Sequence, residues 1–109
     1  MSKPKCDFCS SQQVVWAYPC EDFAVMAVMF DKRGEEVAFP WGSDGPWAAC
    51  EICAALIEED RWDDLAQRSV DTSSDMRAME DMMARGEVKK SIKGLHSYFR
   101  KLRSKRVPV

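Results

Sequence analysis

Two Cys-x-x-Cys pairs, Cys6-Asp-Phe-Cys9 and Cys50-Glu-Ile-Cys53, carry the clearest chemistry in this chain. A two-residue gap turns both thiolates of a pair toward one tetrahedral ion, so together they predict a Cys₄ site for Zn²⁺. Four thiolates close the coordination shell and leave no position for water or substrate, which points to a structural ion. Disulfides are the competing reading. Against them, Cys20 makes the cysteine count odd, and Met1-Ser-Lys-Pro-Lys leads into Cys6 with no secretory pattern. A reducing, cytoplasmic setting is therefore expected. A thioredoxin-like redox role needs a strand before its cysteines and a helix after them. Cys6 has no room for that strand, and Cys50 follows a Gly/Pro loop.

The elements that must position these thiols follow from local pattern. Val14-Val-Trp-Ala-Tyr18 is β-rich and ends at Pro19. Phe23–Phe30 reads as a strand buried on both faces, Asp31-Lys-Arg-Gly34 as a turn, and 35–39 as the returning strand. The segment 40–46 reads as a loop. Asp44 or Gly45 as cap and Pro46 at the first position predict a helix starting at Trp47, with Cys50 and Cys53 on one face of its first turns. Knuckle, β-hairpin, then a helix bearing the last two ligands is the order of a treble-clef-like zinc module, placed at residues 1–70.

Beyond it, Asp60 can cap a short helix over 61–69. Thr72 with Asp75 resembles a capping box that opens a helix carrying Met76, Met79, Met82 and Met83, with Gly86 as its stop. A last helix over 88–105 carries Ile92, Leu95, Phe99 and Leu102 at offsets of three and four, despite Gly94. The expected class is α+β, a zinc module followed by two or three helices, with 71–109 as a helical extension.

Charge divides the same way. The net charge is −2, yet residues 1–86 hold eight Lys/Arg against 17 Asp/Glu, and residues 87–109 hold eight Lys/Arg against Glu87 alone. A basic C-terminal helix on an acidic body can pack on that body, follow nucleic-acid phosphates, or dock on a protein. The nucleic-acid reading uses Lys89, Lys90, Lys93, Arg100, Lys101, Arg103, Lys105 and Arg106, with Trp41 or Trp47 stacking bases. The protein-interaction reading uses Met76, Met79, Met83 and Phe99, since methionine adapts to varied partners; core packing is the ordinary alternative for such a stripe. Dimerisation through the apolar stripes of the last two helices stays open, and so do the roles of Cys20 and His96. Phe23–Phe30 is the longest apolar run and too short to span a bilayer, so no membrane role is expected. One histidine, no phosphate-binding glycine loop and no His-x-Glu zinc motif argue against an enzyme.

Three pieces of the chain also carry a resemblance: Cys6-Asp-Phe-Cys9-Ser, Trp16-Ala-Tyr-Pro, and Trp47-Ala-Ala-Cys-Glu-Ile-Cys-Ala-Ala-Leu-Ile-Glu followed by Arg61-Trp-Asp-Asp-Leu-Ala-Gln-Arg-Ser69. Over residues 5–70 they resemble small zinc-finger proteins of actinobacteria and their phages. The resemblance implies a cytoplasmic zinc-bound fold ligated by Cys6, Cys9, Cys50 and Cys53. A phage origin would imply a regulator acting on a host protein. It implies no activity.

Overall fold

The computed structural model describes residues 5–109. In chain order the elements are β1 (Val14–Tyr18), β2 (Phe23–Phe30), β3 (Glu36–Ser43), β4 (Trp47–Cys50), α1 (Glu51–Glu58), α2 (Trp62–Thr72), α3 (Ser74–Met82), α4 (Glu87–Leu102) and β5 (Val107–Pro108). The class is α+β, with two small antiparallel sheets ordered β4-β1-β5 and β2-β3.

The hairpin β2–β3 closes where its turn chemistry demands. Asp31 Oδ1 accepts the N–H groups of Arg33 and Glu35, both at 2.9 Å, and Gly34 takes the left-handed backbone (φ +82°). The returning strand runs four residues past the sequence expectation, through Pro40, Trp41 and Gly42. Proline is tolerated there because it stands opposite Met26, where the ladder requires no N–H from it. β2 is buried on one face only. Ala27 and Met29 point inward, while Ala24, Met26, Val28 and Phe30 face solvent.

The largest departure lies at Trp47. Residues 47–50 form a strand paired with β1, Trp47 opposite Tyr18 and Cys50 opposite Val14, and helix α1 starts only at Glu51. Burial of Trp47 and Ala49 against β1 outweighs the helical propensity of Trp-Ala-Ala-Cys and the cap signal of Asp44-Gly-Pro46. Other caps differ too. Asp60 sits at φ +60° and accepts the Trp62 indole N–H instead of capping α2, and Thr72 bonds back to the Arg68 carbonyl at 2.6 Å. Gly86, in the left-handed region, starts α4 and does not stop α3. α4 ends at Leu102, after which β5 adds to the free edge of β1.

Two apolar clusters result. One gathers Phe8, Tyr18, Trp47, Ile57 and Leu65 around Phe99; the other puts Met29, Ala66, Val70, Met83, Val88 and Ile92 beneath the hairpin. Phe99 packs edge-on to Phe8 at 5.2 Å and to Tyr18 at 5.6 Å, so α4 supplies a central ring of the N-terminal half. No described helix is long and apolar enough to cross a membrane.

Candidate metal centre

The first cysteine pair rides on a tight knuckle. The Cys6 N–H bonds the Ser11 carbonyl at 2.7 Å, the Ser10 N–H bonds the Cys6 carbonyl at 2.9 Å, and Ser10 adopts φ +69° to close the bend. Asp7 fastens this knuckle to β4: its N–H donates to the Ala48 carbonyl at 2.9 Å, and its carboxylate accepts the Ala48 N–H at 2.6 Å. The second pair stands at the β4–α1 junction. Cys50 is the N-cap residue, its Sγ accepting the Cys53 N–H at 3.5 Å, and Cys53 lies in the first turn. A helix N-terminus favours the thiolate form that metal ligation requires.

These connections bring Cys6, Cys9, Cys50 and Cys53 together, all buried, with their sulfurs within 4.8 Å of one another. Cys9 Sγ and Cys50 Sγ are 3.6 Å apart, far beyond the ~2.05 Å of a disulfide. A tetrahedral ion bonded at about 2.3 Å to each sulfur separates neighbouring sulfurs by about 3.8 Å, so the cluster has the dimensions of a four-thiolate site. The set could hold a metal ion.

Its electrostatics ask for a cation. A hydrogen bond from Cys53 holds the Cys6 thiol down at about 5, while the same contact and then burial push Cys53 up. Four sulfurs in one small volume do not all ionise without positive charge between them. Arg68 of α2 supplies some from outside, its Nη2 donating to Cys9 Sγ at 3.8 Å. Burial works against the Arg68 charge, but hydrogen bonding to Cys53 and the charges of Cys53 and Cys9 outweigh it and keep the guanidinium protonated. The sequence reading missed this residue. Its i, i+4 relation to Asp64 and Thr72 gives no hint of a partner in the knuckle.

Comparison with protein-family models, curated proteins and solved structures gives no match. Function must therefore be read from the surfaces around the cluster.

The methionine stripe faces inward except at Met82, which is 58% exposed. Met83 is buried, Met76 and Met79 pack half-buried against the second cluster, and Phe99 has no exposed surface. Met83 and Phe99 thus cannot present a contact face to a partner in this fold. The eight candidate phosphate-binding cations are largely taken up by the body. Lys89 and Lys93 both reach Asp63 at 3.1 Å, Arg100 reaches Asp60 at 2.9 Å, and Arg103 and Arg106 reach Glu58 at 3.6 and 3.8 Å. Arg100, Arg103 and Arg106 also stand over the rings of Trp62, Tyr18 and Trp16. Lys90, Lys101 and Lys105 make no ion pair among the described residues. Trp47 is buried with its indole N–H on Ser43 Oγ, which removes it as a base-stacking platform.

Cys20 is half-buried beside Arg103, with its thiol pushed up by burial. His96 is a wall residue of a cavity of about 620 Å³ beside the knuckle, packed on Phe8 at 5.3 Å, with its Nδ1 buried and without a hydrogen-bond partner among the described residues.

Proposed function

We propose that this protein is a non-catalytic, zinc-stabilised interaction module that recognises a partner protein through the outer face of its β2–β3 hairpin. One observation carries the reading. That face is apolar along nearly its whole length, with Met26, Val28 and Phe30 at 61%, 47% and 44% exposure opposite Pro40, Ala38 and Glu36. A two-stranded sheet that turns such a row to solvent has surface to bury elsewhere. Exposed Glu21 and Asp22 put negative charge at one end of it, while at the turn end Glu35 is paired with Arg33 at 3.5 Å and the charge is mixed. The four-cysteine cluster ties the knuckle to the β4–α1 junction, and its all-thiolate donor set suits zinc. The sequence resemblance adds the role of a regulator acting on a host protein.

Quantitative affinity capture with the metal-loaded chain tests this reading. A Met26→Asp/Phe30→Asp variant, with metal content and melting temperature unchanged, is expected to lose the proteins that the wild type enriches. Equal capture by both would overturn it. Nucleic-acid binding ranks second because five of its eight cations are already paired with carboxylates. Oligonucleotide binding that weakens steeply with salt and disappears on substituting Lys90, Lys101 and Lys105 would reverse that order.

A further inference from the structure

β2 and α4 lie side by side and antiparallel. At one end Glu87 accepts the Phe30 N–H at 3.3 Å; at the other, Tyr98 stacks on Phe23 with centroids 5.8 Å apart. Between them, the edge of β2 that faces away from β3 borders a groove of about 410 Å³.

The ladder identifies which backbone groups line that edge. The Asp31 N–H donates to the Glu35 carbonyl, so Met29, Ala27 and Val25 exchange bonds with β3. Phe30, Val28, Met26 and Ala24 turn theirs outward. The outward groups of Phe30 are taken by Glu87 and by the Ala84 N–H at 2.8 Å. Among the described residues, nothing takes those of Ala24, Met26 and Val28. An edge of this kind is a template for another strand.

Gly94 is the second observation. It lies mid-helix on the groove, where glycine weakens a helix, and a Cβ built there meets nothing within 4 Å. Nothing in the described chain requires it. A glycine on an open helix face is what close approach by another backbone needs.

We infer that the chain forms a two-fold dimer in which β2 pairs antiparallel with β2 of a second copy about Met26, while α4 crosses α4 of that copy at Gly94. The register is self-complementary. Met26 meets Met26 of the second copy, and Ala24 meets Val28 of the second copy, each such pair exchanging N–H···O bonds. On α4, Lys90 and Tyr98 lie one helical step to either side of Gly94, so the same axis sets each Lys90 ammonium against Tyr98 of the second copy. Lys90 has no ion pair among the described residues and Tyr98 is 46% exposed. A foreign strand would satisfy the edge but leave this charge–ring complementarity unused. Met26 belongs to both the edge and the hairpin face, so substitutions at Gly94, Lys90 and Tyr98, which leave that face untouched, separate the dimer from the proposed partner.

Sedimentation velocity of the metal-loaded chain, from micromolar to millimolar, provides the test. The expected result is concentration-dependent conversion of the 12.4 kDa chain to twice that mass. Met26→Pro removes an outward N–H and spares every bond to β3, and Gly94→Leu fills the crossing point. Each is expected to weaken association by about tenfold or more, roughly the effect of losing one to two good hydrogen bonds or a close contact. Lys90→Glu should weaken the dimer, and adding Tyr98→Lys should restore it, because those positions meet only between copies. A wild type that stays monomeric at millimolar concentration overturns the inference. So does a dimer indifferent to Gly94→Leu and to the charge exchange, measurements that hold even if Met26→Pro fails to fold.

Discussion

The Arg68 guanidinium on α2 donates to the sulfur of Cys9 on the knuckle at 3.8 Å, across 59 residues of sequence. A metal bound by four thiolates carries a net charge near −2, and a half-buried cation at that distance offsets part of it. Groups that orient and neutralise ligands in this way commonly alter metal affinity 10–100-fold. Arg68→Ala is expected to weaken zinc binding by about that factor in a chelator competition, with Arg68→Lys recovering part of it. Equal affinity for all three proteins would reduce Arg68 to a packing residue.

Removing a ligand should cost more. Zinc binding in small finger domains is worth on the order of 10–16 kcal/mol, comparable to or larger than the stability of a domain this size. Cys9→Ser, or excess chelator, is expected to abolish the cooperative thermal transition, and wild-type protein should release one zinc per chain on thiol modification. A melt unchanged by chelator would show that the apolar clusters suffice alone.

Phe99 gives a test of where the core lies. It touches Phe8, Tyr18, Trp47 and Trp62 and has no exposed surface. Phe99→Ala should destabilise the fold by about 3–5 kcal/mol in denaturant unfolding, the range for a deleted core ring. A cost below about 1 kcal/mol would return Phe99 to the surface.

Much of this was legible and some was not, for identifiable reasons. The paired cysteines, β1, β2 and the Asp31–Gly34 turn stand in the sequence because each depends on local chemistry. Trp47-Ala-Ala-Cys50 does not reveal itself as a strand, because only the remote partner β1 makes it one. β5 is two residues long and contains Pro108, so it has no periodicity to detect. The cations of residues 89–106 were visible as a cluster, but their carboxylate partners Glu58, Asp60 and Asp63 lie far away in sequence, from the end of α1 to the start of α2. Phe99 was legible as part of an apolar helical stripe, which reads as a partner contact; that the stripe faces the core and not a partner was a matter of packing.

His96 makes stability depend on pH. Burial pushes its imidazole down to about 4, whereas in the unfolded chain it titrates near 6.5. The unfolded state therefore takes up the proton first. Stability is full above about pH 6.5, falls as pH drops toward 4, and loses about 3 kcal/mol across that window. The melting temperature of the wild type should fall more steeply between pH 7 and 5 than that of His96→Leu. Metal loss in acid affects both proteins, so the difference isolates the imidazole. Parallel curves would place His96 in water.

Gly94→Ala offers the opposite sign. An added methyl meets nothing within 4 Å, so the monomer should gain about 1 kcal/mol from helix propensity. Denaturant titration at concentrations below any association measures it; a loss of stability would reveal a constraint on α4 within the monomer.

The contact between Phe8 and Phe99 has a kinetic meaning as well. It joins residues near opposite ends of the described chain, so the first cluster is completed only after nearly the longest loop available has closed. Such topologies fold slowly, because chain entropy is lost before the contacts that repay it are made. The cluster joining Cys9 to Cys50 closes a loop less than half as long. Metal arrival can therefore act as a timer as well as a staple: it gathers the knuckle, β1, β4 and α1 early, and leaves α4 to seal a surface already waiting for it.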